Sequence, residues 1–208
     1  MENKMIRILI LFAHPALQKS RVHRELINEI GKIEGVTFRD LYELYPDLDI
    51  DIKTEQALLL ENDLIIFQHP FYWYSTPAIL KEWQDLVLEH GWAYGHEGIA
   101  LRGRKMFSVI STGGREEAYQ KEGYNRYTIR ELLNPIDQTA YLCGMEYLPP
   151  FVIHGTHKMT QEEIRQHRQD YHLLLKALVE NRIDLAQARK LDRINLDINK
   201  IIINRTGN

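Results

Sequence analysis

Three runs of this chain carry consecutive apolar residues yet are only as long as a strand. They are IRILILF at residues 6–12, DLIIFQ at 63–68 and KMFSVIST at 105–112. None of them alternates, so neither face is suited to water. Strands buried on both faces belong to a parallel sheet covered by helices on each side. The intervening segments supply such helices. Residues 21–33 carry Val22, Leu26, Ile27, Ile30 and Ile33 at helical spacing, with Gly35 as a stop. Residues 36–42 (VTFRDLY) alternate as a second strand, and 53–62 suit a short helix. Pro77 fits the first turn of a helix reaching about residue 90, with Ile79, Leu80, Trp83, Leu86 and Val87 on its apolar face.

A glycine-rich connection spans 91–103, and a long loop over 113–125 leads to a helix at 128–143. Residues 147–154, interrupted by Pro149 and Pro150, read as a fifth strand. Thr160 with Glu163 has capping-box spacing and opens a helix to about residue 181. Five strands with intervening helices predict a doubly wound α/β fold with a parallel sheet. Residues 1–182 form its domain. Residues 183–208 interleave Leu185, Ala188, Leu191, Ile194, Leu196, Ile198, Ile201, Ile202 and Ile203 with charges and asparagines, as an extension of unknown role. An amphipathic arm on a partner subunit, a strand-like arm and a partly ordered terminus all suit that pattern.

A length of 208 residues suits one domain with a substantial core. The net charge of −3 gives no global reason to expect nucleic acid or an anionic membrane as the main partner. Cys143 is the only cysteine, which excludes an intramolecular disulfide and argues against a cysteine-based zinc site. The N-terminal apolar run has strand length and no signal-peptide architecture, and no run reaches transmembrane length. A cytoplasmic protein is expected.

In an open α/β sheet, ligands bind beyond the carboxyl ends of the strands, where the strand order reverses. Loops 14–23 (HPALQKSRVH), 69–77 (HPFYWYSTP) and 111–119 (STGGREEAY) follow the three most apolar strands. In a sheet of order 2-1-3-4-5 they converge. Ser20 is a good N-cap beside Arg21 and His23, and the amides around it suit an anion. Gly113 and Gly114 let a ligand approach bare backbone. Phe71, Tyr72, Trp73 and Tyr74 offer flat surfaces for stacking. Each feature has an ordinary structural reading, but together they describe a flavin mononucleotide site. Neither GxGxxG nor GxxxxGK[ST] occurs, so a dinucleotide fingerprint and a P-loop are both excluded as the explanation.

The same residues carry a family resemblance. AHP at 13–15, DLYELYPDLDIDI at 40–52, QHPFYWYSTPAILKEW at 68–83, HGWAYG at 90–95, STGG at 111–114 and LPPF at 148–151 recur in a consistent order over residues 5–180. The chain resembles the flavodoxin-like NAD(P)H:quinone oxidoreductases, above all the ancillary proteins of glutathione-regulated potassium-efflux systems and their general-stress relatives. That resemblance implies a five-stranded flavodoxin-like sheet with helices on both faces, and a homodimer with its site at the subunit interface. It implies FMN, with FAD in some members, as cofactor, NAD(P)H as co-substrate and a quinone-like acceptor.

The flavin contacts implied are His14, Ser20, Arg21, Val22, His23, Phe71, Tyr72, Trp73, Tyr74, Ser111, Thr112, Gly113 and Gly114. Tyr119 and Asn125 occupy the positions where larger relatives place a tyrosine and a histidine that assist hydride transfer. Asparagine cannot hold and release a proton near neutrality. His23 stands where asparagine is usual. The resemblance also implies a rival role, that of a regulatory subunit on a membrane antiporter, peripheral at the inner face of the cell membrane. His154, His157, His167 and His172, without clustered carboxylates or thiols, read as surface histidines rather than a metal site.

Overall fold

The computed structural model describes residues 5–203. β1 (Ile8–Phe12) lies between β2 (Val36–Asp40) and β3 (Leu64–Pro70), with β4 (Lys105–Ser111) beyond β3. β5 (Glu146–Tyr147) and β6 (Phe151–Ile153) both pair with β4, and every pairing is parallel. The order β2-β1-β3-β4-β5 is that of a flavodoxin-like sheet. The expected fifth strand is thus two short pieces. Pro149 and Pro150 carry no N–H to donate, so the ladder breaks between Tyr147 and Phe151 and then resumes on β4.

The two faces of the sheet sort the side chains. Leu9, Leu11, Ile65 and Phe67 join one buried cluster with α3 (Ile52–Glu61) and α4 (Ala78–Val87). Ile8, Ile10, Leu64 and Ile66 join another with α1 (Arg21–Leu26) and α7 (Gln161–Val179). Period-2 alternation is therefore present in space although both sets are apolar, which is why it was invisible in the sequence.

Several elements are shorter than their periodicity suggests. The helix expected over 21–33 ends at Leu26, and the chain passes through left-handed Glu29 before a 3₁₀ turn at Ile30–Lys32. The second strand stops at Asp40, whose carboxylate accepts from the Glu43 amide and caps α2 (Leu41–Leu44). The helix expected over 128–143 is two, α5 (Ile129–Leu132) and α6 (Asn134–Leu142), with Pro135 in the first turn of the latter. The Thr160–Glu163 capping box forms as its spacing predicts.

Three residues past the DLYELYPDLDIDI stretch, Glu55 is fully buried beneath α4. Its Oε1 accepts from Arg39 Nη2 at 2.5 Å and Tyr45 Oη at 2.7 Å, and its Oε2 accepts from Trp83 Nε1 at 2.9 Å. One carboxylate thus joins β2, α3, α4 and the turn after α2. Cys143 is also buried, which pushes its thiol up to about 11. Among the described residues no helix is long and apolar enough to cross a membrane.

The C-terminal segment packs on this chain's own core. Ile183, Ala188, Ile194, Ile198 and Ile201 are buried in the cluster of α7, and α8 (Leu185–Ala188) and α9 (Ile198–Ile201) hold them there. An antiparallel bridge between Ile183 and Ile202 closes the segment on itself. Residues 204–208 lie outside the described residues.

Glu55→Ala strands the Arg39 guanidinium and the Trp83 N–H inside the protein. It is expected to lower stability by about 3–5 kcal/mol in denaturant unfolding, whereas an exposed control such as Glu61→Ala changes it little.

Candidate functional site

Parallel pairing brings the carboxyl ends of β1, β3 and β4 to one edge, and a cleft of about 320 Å³ opens there. His14, Ser20, Arg21, Val22, Phe71, Tyr72, Ser111 and Gly113 line it, so the three loops converge as their strand order requires. Lys19 and Pro70 from the same loops line it as well, with Thr156 and His157 from a segment that sequence reasoning missed. The signal was available. His157 follows the last strand of the same parallel sheet, so its loop must open at the same edge. His157 is an exposed histidine, as expected, but it stands at the cleft. A Cβ on Gly113 would overlap the outer end of its imidazole, so a side chain at residue 113 would displace the exposed His157 ring.

Lys19, Arg21, His14 and His157 border the cleft, and no carboxylate lines it. Ser20 caps α1 by accepting from the His23 amide at 3.1 Å. His14 accepts from the Ala16 amide at 3.1 Å through Nδ1, which leaves the proton of the neutral ring on Nε2. His23 is fully buried, with Nε2 at 2.9 Å from Ser111 Oγ and Nδ1 without a partner. Burial, and then the neighbouring His14 and His69 rings, hold its imidazole well below the ordinary histidine range. His69 bonds the Pro70 carbonyl through Nδ1 at 3.0 Å, and its buried Nε2 is likewise unpartnered.

The aromatic loop divides its four rings. Phe71 is buried in the core, and Tyr72 meets His14 edge-on with ring centroids 6.1 Å apart. Trp73 and Tyr74 both adopt left-handed backbone (φ 51° and 61°) at the centre of a turn closed by the Ser75 amide on the Tyr72 carbonyl at 3.0 Å. Glycine or asparagine is the easy occupant of such positions, so two aromatics there store about 1–3 kcal/mol each. The turn leaves Trp73 93 % exposed.

Beyond β4, Thr112 Oγ1 donates to the Gly114 carbonyl at 2.8 Å, and the Gly155 amide bonds the same carbonyl at 2.8 Å. Since the hydroxyl proton of Thr112 is used there, His154 Nδ1, 3.1 Å from Thr112 Oγ1, is the donor to it. Burial pushes the His154 imidazole down to about 4, so this histidine is built in rather than a surface residue. The amides of Gly113 and Gly114 have no backbone partner among the described residues. Tyr119 is buried behind Gly114 and faces a second cavity instead of the cleft; burial raises its phenol. Asn125 Oδ1 accepts from Tyr74 Oη at 3.0 Å, which ties the glycine loop to the aromatic loop. Among the described residues, no cluster of three or more histidine, cysteine or acidic side chains could hold a metal ion.

A family described by its flavodoxin-like fold matches residues 6–175. The glutathione-regulated potassium-efflux system ancillary protein KefF of Klebsiella aerogenes is 45% identical over 166 residues, which is 78% of this chain and 93% of that protein. General stress protein 14 of Treponema denticola, solved in complex with FMN, superposes with a TM-score of 0.79. It is 36% identical and covers 83% of this chain and 99% of its own. An NADPH-quinone reductase of P. pentosaceus gives a TM-score of 0.72 at 34% identity, covering 80% of this chain and 95% of its own.

The buried histidines impose a pH dependence. His69 titrates at about 4 in the fold, against about 6.5 in an unfolded chain, so below neutrality the unfolded state takes up the proton first. Its contribution is intact above pH 6.5 and is lost as pH falls towards 4. Between pH 7 and 5 this site alone is expected to cost about 2 kcal/mol of unfolding free energy. Urea unfolding at the two pH values measures it, and His69→Asn should flatten the slope.

Proposed function

The chain belongs to the flavodoxin-like fold family, and on that premise we propose that it is an FMN-dependent oxidoreductase that moves electrons from NAD(P)H to a quinone or similar acceptor. The observation that carries this reading is the cleft at the reversal point of the sheet, bordered by four cationic or cationisable side chains and no carboxylate. Such a lining suits a phosphate-bearing ligand. The free amides of Gly113 and Gly114 fit a ligand rich in hydrogen-bond acceptors. The FMN complex of the Treponema denticola relative supports the choice of flavin.

When bound, FMN supplies the two-electron hydride chemistry. In this reading Lys19, Arg21, Ser20, Val22 and His14 hold its phosphate, and His23 with Ser111 and Thr112 borders the chain leading to the ring. Phe71 and Tyr72 pack against the ring, and Gly113 and Gly114 donate to the edge where negative charge develops. Trp73 and Tyr74 flank the open side, where a second copy of the chain covers them as a homodimer. Tyr119 keeps its proton at neutral pH and acts only as a hydrogen-bonding support behind Gly114, while Asn125 steadies Tyr74. A nicotinamide donor and a quinone acceptor use the same open face in turn.

A second reading follows from the likeness to KefF: a regulatory subunit of a potassium-efflux antiporter, with flavin or nucleotide occupancy as the signal. Asn125 in place of a proton-carrying side chain favours it. Purified protein is expected to show a flavin spectrum, to release FMN by mass, and to oxidise NADH or NADPH with a simple quinone along parallel double-reciprocal lines. Bound flavin with negligible turnover selects the regulatory reading, and absence of flavin binding removes both. Arg21→Ala should weaken FMN by about tenfold.

A further inference from the structure

The family match ends at residue 175, yet residues 183–203 contact the frame of the cleft. Three contacts matter. The Ile194 amide donates to the Pro150 carbonyl at 2.8 Å. The Asn195 side chain then acts as a missing strand on the outer edge of β6. Its Oδ1 accepts from the Val152 amide at 2.9 Å and its Nδ2 donates to the Val152 carbonyl at 2.9 Å. Arg193 reaches over this edge to form a two-pronged ion pair with Glu116, at 2.5 and 2.9 Å.

Glu116 opens the 3₁₀ turn Glu116–Ala118, two residues past Gly114. The Arg193 guanidinium and Leu196 also wall the cavity of about 220 Å³ faced by Tyr119 and His154. Tyr119 packs on Gly114, and His154 holds Thr112, which holds the Gly114 carbonyl. The Arg193–Glu116 ion pair therefore ties this segment directly to the turn whose free amides border the cleft, while Ile194 and Asn195 fix Arg193 in place on the edge of β6. A second ion pair from the segment to the sheet, Arg189 with Glu146 on β5, lies at the opposite end of the edge strand and touches none of these residues.

We infer that the C-terminal segment is a positioning strap for the Gly113–Gly114 turn, with Arg193 acting through Glu116 and Asn195 acting through Val152. It preforms the amide pair that the FMN reading uses, and to that extent it rests on that reading. Arg193 contacts no ligand site; it acts on the loop. Its charge also bears on His154. After burial, the Arg193 guanidinium lowers the imidazole, opposed by Glu116 and Glu117, while Tyr119 lies tilted against the ring without charge. Loss of Arg193 leaves both carboxylates unopposed, so His154 should titrate at higher pH.

The test compares full-length wild type with Arg193→Gln and with the control Arg189→Gln. In Arg193→Gln, exchange of the hydrogen-bonded Ala118, Tyr119 and Gly155 amides is expected to quicken about fivefold, and the NMR titration of His154 to move up. Arg189→Gln should alter neither. The reversed pair Glu116→Arg with Arg193→Glu should restore slow exchange. Added FMN should bind Arg193→Gln about fivefold more weakly than wild type. Unchanged exchange in Arg193→Gln, or equal quickening in the Arg189→Gln control, overturns the strap. Exchange and titration are read without flavin, so a wild type that binds no FMN would remove the flavin reading and leave the strap judged on those two signals.

Discussion

Parallel pairing of β1, β3 and β4 is the constraint on which the rest of this structure depends. Parallel neighbours need a crossover between them, and crossovers bury both faces of the sheet under helices. The register sets Phe12 beside Gln68 and Gln68 beside Val109, so all three strands end on one edge. There the ladder runs out and backbone donors need new partners. Loops from three distant parts of the chain meet for that reason alone, before any side chain is considered.

Buried polarity follows the same geometry. Among the described residues, His14, His23, Gln68, His69 and Thr112 are five of the eight buried polar ones, and all lie at this edge. Three of their side-chain atoms, His23 Nδ1, Gln68 Nε2 and His69 Nε2, have no partner. Glu55 makes the contrast. It is equally buried, yet both of its oxygens are bonded within the protein. A satisfied network specifies packing, whereas the three unpartnered atoms belong to fully buried side chains behind the cleft lining and leave part of this edge's polarity unmet. The strained turn at Trp73 and Tyr74 belongs to the same edge, where the surrounding structure holds conformations the residues would not choose.

The outer edge of the sheet poses the opposite problem. β5 and β6 are short, broken by two prolines, and their free side could pair with another chain. Asn195 answers this with a side-chain amide that matches the donor and acceptor of Val152, and buried isoleucines on either side fix it in place. An exposed edge has become the anchor of a segment that reaches the loop bordering the cleft.

The sequence by itself determined the strands, their parallel arrangement and the three converging loops. Unbroken apolar runs and cap residues act locally, and Ser20 and Thr160 cap where their spacing says. It did not determine where helices stop, because Glu29, Pro135 and the packing around them override periodicity. Nor did it assign the four rings, since Phe71 and Trp73 differ only in which way a strained turn points them. Only the tertiary structure moved His157 into the cleft, set Tyr119 behind Gly114 and laid residues 183–203 along β6. Those outcomes rest on contacts between residues far apart in the chain. Patterning decides which side chains must be buried, and only folding decides against what.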